Sequence, residues 1–195
     1  MKKIILLLAA CIITITAFAQ SDTAKKTTIK QPPSKTRMVG GVLMSSANDV
    51  VKNLSKSNNY TVFISMLAAS GLTETLKSGT YTVFVPTDDA FKKLPAATID
   101  SLMKPAHSAD LTKLVNSYIV QGKLSSKDIA RQIKAKGQTG ITTLSGSVLT
   151  AKINPDRNIV LTDENGNQAI LSQFDIEQSN GLIDVITAPL AFKTI

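Results

Sequence analysis

The chain has 195 residues, a formal charge of +8, one cysteine and no tryptophan. That length suits one domain with a core of its own, and a single thiol excludes a disulfide framework or a thiolate metal site. Seven of the basic residues (Lys2, Lys3, Lys25, Lys26, Lys30, Lys35 and Arg37) precede Met38, so the remainder is only near +2, and basic residues are not interleaved with aromatics, which excludes a nucleic-acid-binding face.

Met1–Ala19 carries Lys2 and Lys3, an apolar run from Ile4, and Ala17-Phe18-Ala19 before Gln20. A positive start, a hydrophobic centre and a small-x-small end predict a cleaved secretory signal peptide. The run is too short to span a membrane comfortably, so no transmembrane span is expected in the mature chain. A competing signal is Leu8-Ala9-Ala10-Cys11, a lipoprotein-like box that would lipidate Cys11. The early position of Cys11, with apolar residues continuing past it, favours cleavage after Ala19. The protein is thus expected to be exported to the periplasm, the medium or the outer surface.

Residues 20–37 are mostly Thr, Lys, Gln, Pro and Ser with Ile29 as the one large apolar residue. Such a segment buries too little to order itself and reads as a basic, disordered linker capable of weak, salt-screened contact with anionic surfaces. The folded domain is expected over 38–195. Met38–Lys77 reads as helical, with Asn48 or Asp49 as a cap and Tyr60, Phe63, Ile64, Leu67 and Ala68 as a core-facing stripe ending at Gly71. Asn53-Leu54-Ser55 and Asn59-Tyr60-Thr61 match glycosylation sequons, read here as chance matches beside a bacterial-looking leader.

Tyr81–Val85 is an unbroken apolar and β-branched run, which predicts a strand buried on both faces. Pro86 stops it, Thr87 caps a following helix, and Asp88 and Asp89 place negative charge at that helix's positive end. Thr98–Met103 and Asp110–Asn116 suit helices separated by Pro105, and Tyr118–Val120 a strand. A helix capped by Ser125 or Ser126 follows; Ser126 with Asp128 and Ile129 gives part of a capping box. From Gly140 the period falls towards two, predicting strands at Ile141–Leu144, Val148–Ile153, Ile159–Thr162, Gln168–Phe174 and Leu182–Ile186. Asp163-Glu164-Asn165-Gly166-Asn167 is a hairpin turn and lacks the spacing of a calcium loop. Helices first and an antiparallel sheet later predict an α+β fold.

Three segments carry a family resemblance. Thr82-Val83-Phe84-Val85-Pro86-Thr87-Asp88-Asp89-Ala90-Phe91 resembles the first signature box of the fasciclin domain family. Leu114–Leu124 resembles its central segment, and Asn180-Gly181-Leu182-Ile183-Asp184-Val185-Ile186 its second box. The resemblance spans about Asn48 to Phe192. It implies a β-sandwich or wedge with N-terminal and inserted helices packed against it. It also implies that Thr82, Phe84, Pro86, Thr87, Ala90, Phe91, Asn180, Gly181 and Ile183 are structural signature positions. The central segment often carries Tyr-His, where Tyr118 is followed by Ile119; the second box often carries histidine where Asp184 stands. Segments near these positions bind integrins in animal members. Asp175-Ile176 matches such a dipeptide but Tyr118-Ile119 does not complete the second motif, so Asp175, Ile176 and Tyr118 are binding candidates without integrin specificity.

No cofactor, metal or catalytic group is expected. His107, the single histidine, lies in a loop with no visible orienting partner. The resemblance implies a non-enzymatic extracellular adhesion or interaction module whose partner is a protein or polysaccharide. The alternatives are a periplasmic domain binding a small ligand or polysaccharide, which a pocket of converging polar groups would favour, and an enzyme, which would need an acid/base pair in one cleft.

Overall fold

A computed structural model of the chain describes residues 33–191. The leader, Cys11 and the linker as far as Pro32 lie outside them. The first elements depart from the helical expectation for Met38 onward. β1 (Thr36–Val39) and β2 (Val42–Ser45) form an antiparallel hairpin turned by Gly40-Gly41. Both glycines have positive φ (55° and 77°), and a Cβ on Gly40 would lie 2.7 Å from the Tyr60 ring. A paired glycine turn overrides the apolar spacing around it.

Three helices follow. Asp49 caps α1 (Val50–Leu54) by accepting the Lys52 N–H at 2.7 Å. Asn53, fully buried in α1, stands out in the sequence only as part of a sequon. Its side chain donates to the Ser45 carbonyl at 2.8 Å and to Gln178 Oε1, tying the hairpin to α1 and to the sheet. α2 (Thr61–Ala69) buries Phe63, Met66 and Leu67, and α3 (Thr73–Ser78) buries Leu76.

Every residue of β3 (Tyr81–Pro86) is buried, as its composition requires. Thr87 caps α4 (Asp88–Phe91), its hydroxyl accepting the Ala90 N–H at 3.1 Å. Asp88 does more than serve its own helix. Its carboxylate accepts the Thr61 hydroxyl at 2.6 Å, the Thr61 N–H at 3.1 Å and the Val62 N–H at 2.9 Å, so it caps α2 from another element. Asp88→Ala should remove that cap and lower stability by about 1–2 kcal/mol, read as a lower urea midpoint. Asp88→Asn should recover part of the loss, because the amide oxygen still accepts. Equal losses in the two variants would count against the cap.

The chain continues through α5 (Ala96–Leu102), a 3₁₀ turn (Pro105–His107), α6 (Ser108–Asn116), β4 (Ile119–Gln121) and α7 (Ser126–Lys136). The cap of α7 is Ser125, not Ser126, and its capping box with Asp128 is complete. The strands β5 (Thr139–Thr142), β6 (Val148–Ile153), β7 (Ile159–Thr162), β8 (Gln168–Gln178) and β9 (Gly181–Ile186) complete the fold. β8 runs four residues past the expected end at Phe174, across irregular pairing between Leu171 and Ile176.

Seven strands form one sheet in the order β4-β3-β9-β8-β7-β6-β5. The expectation of an antiparallel sheet is corrected at one pair: β3 and β9 are parallel, with Tyr81 opposite Gly181 and Pro86 opposite Ile186. Both strands are buried along their whole length, which parallel pairing under helices demands. The sheet's two ends meet where Leu144 N–H donates to the Ile119 carbonyl at 2.8 Å. The architecture is therefore α+β, a nearly closed sheet wedge with helices packed against it.

Candidate functional site

The end of the wedge where the sheet nearly closes carries a groove of about 720 Å³. One wall is α5, the 3₁₀ turn and α6; the other is the start of β6 and the β7–β8 turn, with Ala191 between them. Leu102, Leu114, Val148 and Leu149 supply its apolar surface. Lys104 and Pro105 break the helical run, because proline disfavours helix at the residue before it, and this sets α5 and α6 at a corner.

The polar groups differ in what they are free to do. Asp163 is buried, and its two oxygens accept from the Asn165, Asn167 and Ala191 backbone N–H groups and from Asn167 Nδ2, at 2.5–2.9 Å. It builds the turn. Glu164 accepts the Val148 N–H at 3.0 Å and so links the turn to β6. Thr143, Ser145 and Ser147 bond one another through their hydroxyls at 2.7–2.9 Å. His107 Nδ1 lies 3.4 Å from Asp110 Oδ2, a partner on the next helical turn that the sequence does not reveal. The Lys113 ammonium has no hydrogen-bond or ion-pair partner among the described residues. Lys113 is therefore a charged donor the groove can turn towards a partner.

A second polar cluster is internal. Asp184 on β9 is fully buried; its Oδ1 accepts the Asp175 N–H at 2.8 Å, and its Oδ2 has no hydrogen-bond partner among the described residues. Asp175 holds a positive φ of 56° and its carboxylate accepts the Ser126 N–H at 2.8 Å and the Ser126 hydroxyl at 2.5 Å, capping α7. Burial pushes the Asp184 carboxyl up to about 7 and the Asp175 charge adds to this, while the Asp175 N–H and the Arg37 charge pull it down. Between the ordinary carboxylate range and about 7 the folded state binds the extra proton, so stability falls as pH rises through that window. The wild type should lose on the order of 3 kcal/mol from this group between about pH 4 and 7. In Asp184→Asn that slope should be absent, as parallel denaturant titrations across the pH range would read. Superimposable pH profiles would mean that Asp184 ionises like an exposed carboxylate.

A fasciclin domain model matches residues 58–191. The chain is 30% identical over 154 residues to Protein sll1483 of Synechocystis sp., covering 78% of each chain. It is 47% identical to Immunogenic protein MPB70 of Mycobacterium bovis over 58 residues, 30% of this chain and 29% of that one. The chain belongs to the fasciclin domain family. Its fold is similar to a FAS1 domain pair from the insect cell adhesion molecule Fasciclin I. The TM-score is 0.67 at 16% identity, over 82% of this chain and 67% of that one.

The fasciclin signature residues lie in the core and its caps rather than in the groove. Thr82 is buried, its hydroxyl donating to the Gly122 carbonyl and accepting the Leu124 N–H, both at 2.8 Å. Phe84, Ala90, Phe91 and Ile183 are buried, and Pro86 ends β3 opposite Ile186. Asn180 accepts the Val50 N–H at 2.9 Å and donates to the Leu76 carbonyl at 2.6 Å, joining α1 and α3 to the second box. Of the three binding candidates, Tyr118 and Ile176 are core residues, at 0% and 1% exposure. The Tyr118 hydroxyl donates to the Leu190 carbonyl at 2.7 Å and accepts its N–H at 2.9 Å. Burial pushes its pKa far up. Asp175 is half-buried and engaged as the α7 cap. The structure thus does not bring these three together at the surface. The groove residues escape a reading of the sequence because they come from four separated segments, each polar in an ordinary way.

Proposed function

We propose that this fasciclin domain is an exported, non-enzymatic interaction module that meets an extracellular protein or polysaccharide through the groove. The likeness to an insect cell adhesion molecule supports the class of function, and the leader-like Met1–Ala19 supports export. The observation that carries the reading is Lys113: a cation unpaired among the described residues on the rim of an open apolar groove, where the neighbouring carboxylates are bound into turns or paired. The test immobilises polysaccharides and proteins of the native cell surface and compares wild type with Val148→Arg and Lys113→Glu. Both sites are exposed, so melting should not change, while binding should fall at least about tenfold. Unchanged binding in both variants would place the interaction on another face.

The groove's size favours a second reading, small-ligand binding, since about 720 Å³ lies within the range of small-molecule sites. Ligand-observed NMR with a library of small acids, alcohols and sugars separates the two. Saturable binding abolished by Val148→Arg supports the small-ligand reading; a library that gives no saturable binding rejects it.

A further inference from the structure

β8 departs from a regular ladder where it faces Asp184. Between the pairs Gln173–Val185 and Ile176–Ile183, β8 has Phe174 and Asp175 where β9 has only Asp184. The extra residue makes a bulge, and bulges re-aim the side chains they carry. Asp175 absorbs it with a positive φ. Three elements converge on this bulge. From β9, Asp184 accepts the Asp175 N–H through Oδ1, while its Oδ2 is a buried oxygen without a hydrogen-bond partner among the described residues. From β1, Arg37 shares the inward face of the hairpin with Met44, and its Nη1 donates to the Phe174 carbonyl at 2.6 Å. From α7, the Ser126 N–H and hydroxyl donate to the Asp175 carboxylate.

The charges that bear on Asp184 come from two of these elements. β8 supplies Asp175, which opposes its ionisation, and β1 supplies Arg37, which favours it. β3 presents Phe84 opposite Asp184 and has Tyr81 as its single titratable side chain. In the first turn of α7, Asp128 is bound by Ser125 and Arg131, and Lys127 is exposed. Lys35 and Glu177 hold one another. A neutral Asp184 suits this arrangement, because an apolar interior tolerates a carboxylic acid better than an unpaired carboxylate. An ionised Asp184 does not suit it: a second negative charge stands beside Asp175 with one oxygen unanswered. Arg37 is the cation within reach of that charge. Its present acceptor is a neutral carbonyl, and a guanidinium bond to a carboxylate is roughly twice as strong.

We propose that Asp184, Asp175 and Arg37 form a proton-operated latch between the β1–β2 hairpin, the β8 bulge and α7. With Asp184 neutral, Arg37 holds the Phe174 carbonyl and Asp175 holds Ser126. When Asp184 gives its proton to solvent, Arg37 moves from that carbonyl to the new carboxylate. The bulge then leaves β1, and Asp175, repelled by Asp184, leaves Ser126. Burial raises the Asp184 pKa to about 7, so the latch is closed in acid and opens as pH rises through neutrality. None of these residues lines the groove, so the latch is separate from that face.

The test is an NMR titration of the protein between about pH 4 and 9. The Asp184 carboxyl carbon should titrate near neutrality, and the Asp175 and Ser126 amides and the Arg37 guanidinium should shift with the same midpoint. The Ser126 amide proton should move upfield as it leaves the Asp175 carboxylate. Asp184→Asn keeps the acceptor for the Asp175 N–H and cannot ionise, so its Asp175 and Ser126 amides should stay at their acid positions throughout. Arg37→Gln should raise the proton affinity of Asp184 at least about threefold and carry the Ser126 shift to the same higher pH. Wild type and Arg37→Gln suffice where Asp184→Asn does not fold. Four results would overturn the proposal. An Asp184 carbon that titrates in the ordinary carboxylate range would remove the trigger. Asp175 and Ser126 amides that stay put while Asp184 titrates would mean a buried charge held without movement. The same Ser126 shift in Asp184→Asn would assign it to another group. An unchanged midpoint in Arg37→Gln would take Arg37 out of the latch.

Discussion

Replacing Gly181 by alanine should destabilise the domain by more than about 4 kcal/mol, enough to unfold much of it. Gly181 opens β9 and pairs in parallel with Tyr81 and in antiparallel with Gln178, so backbone passes closely on both sides. A Cβ at this position would lie 1.8 Å from the Tyr81 carbonyl oxygen and 2.8 Å from its carbonyl carbon. The atom it meets is backbone of a fully buried strand, not a side chain that can swing away. Its φ of 153° adds to the difficulty for any residue with a Cβ. Relief requires β3 and β9 to separate at their paired start, where the Tyr81 N–H also donates to the Asn180 carbonyl at 3.1 Å. Urea unfolding followed by far-UV circular dichroism reads the result. A variant that folds with a loss below about 1 kcal/mol would show that the second signature box tolerates a side chain, and that its glycine is not required by this close approach.

Phe84→Ala should cost about 3–5 kcal/mol, the usual cost of removing a buried aromatic ring and leaving a cavity. Phe84 is at the centre of β3, with no exposed surface, and its N–H donates to the Tyr118 carbonyl at 2.9 Å. Tyr118 in turn stacks edge-on against Phe63, with ring centroids 5.8 Å apart at 86°. The strand on either side is buried and paired, so the backbone has little freedom to collapse into the space. Phe84→Leu, which keeps most of the volume, should lose much less. The pair of variants separates a cavity cost from a general loss at β3. If alanine and leucine destabilise equally, the ring's shape rather than its volume holds β3 in place.

The pattern of what is legible follows the range of the interactions. The Tyr81–Pro86 strand, its Thr87 cap and the β7–β8 turn are decided within a few residues, and local chemistry reads them. The β1–β2 hairpin reads as helix because Val39, Val42 and Met44 fit either period over so short a stretch, and the two glycines are the deciding signal. The Ser125 capping box is present in the sequence, with Asp128 three residues on, yet the neighbouring Ser126 offers the same hydroxyl one residue later and shifts the expected register. Asp88 reads as serving its own helix, since nothing local announces that a carboxylate will cap Thr61 and Val62 of another.

By itself, the sequence determined the α+β class, the buried β3 strand and, through three ordered boxes, the family. These rest on apolar run length, capping chemistry and turn residues, all short-range properties. Only the tertiary structure decided that β3 and β9 run parallel, since either direction buries the same apolar runs. It alone placed Tyr118 and Ile176 in the core, engaged Asp175 as a helix cap, and gathered Leu102, His107, Lys113, Val148 and Glu164 around one groove. Burial, caps supplied from afar and surface grooves come from segments brought together by chain closure over long separations. No local pattern encodes which polar side chains that closure will use up and which it will leave facing solvent.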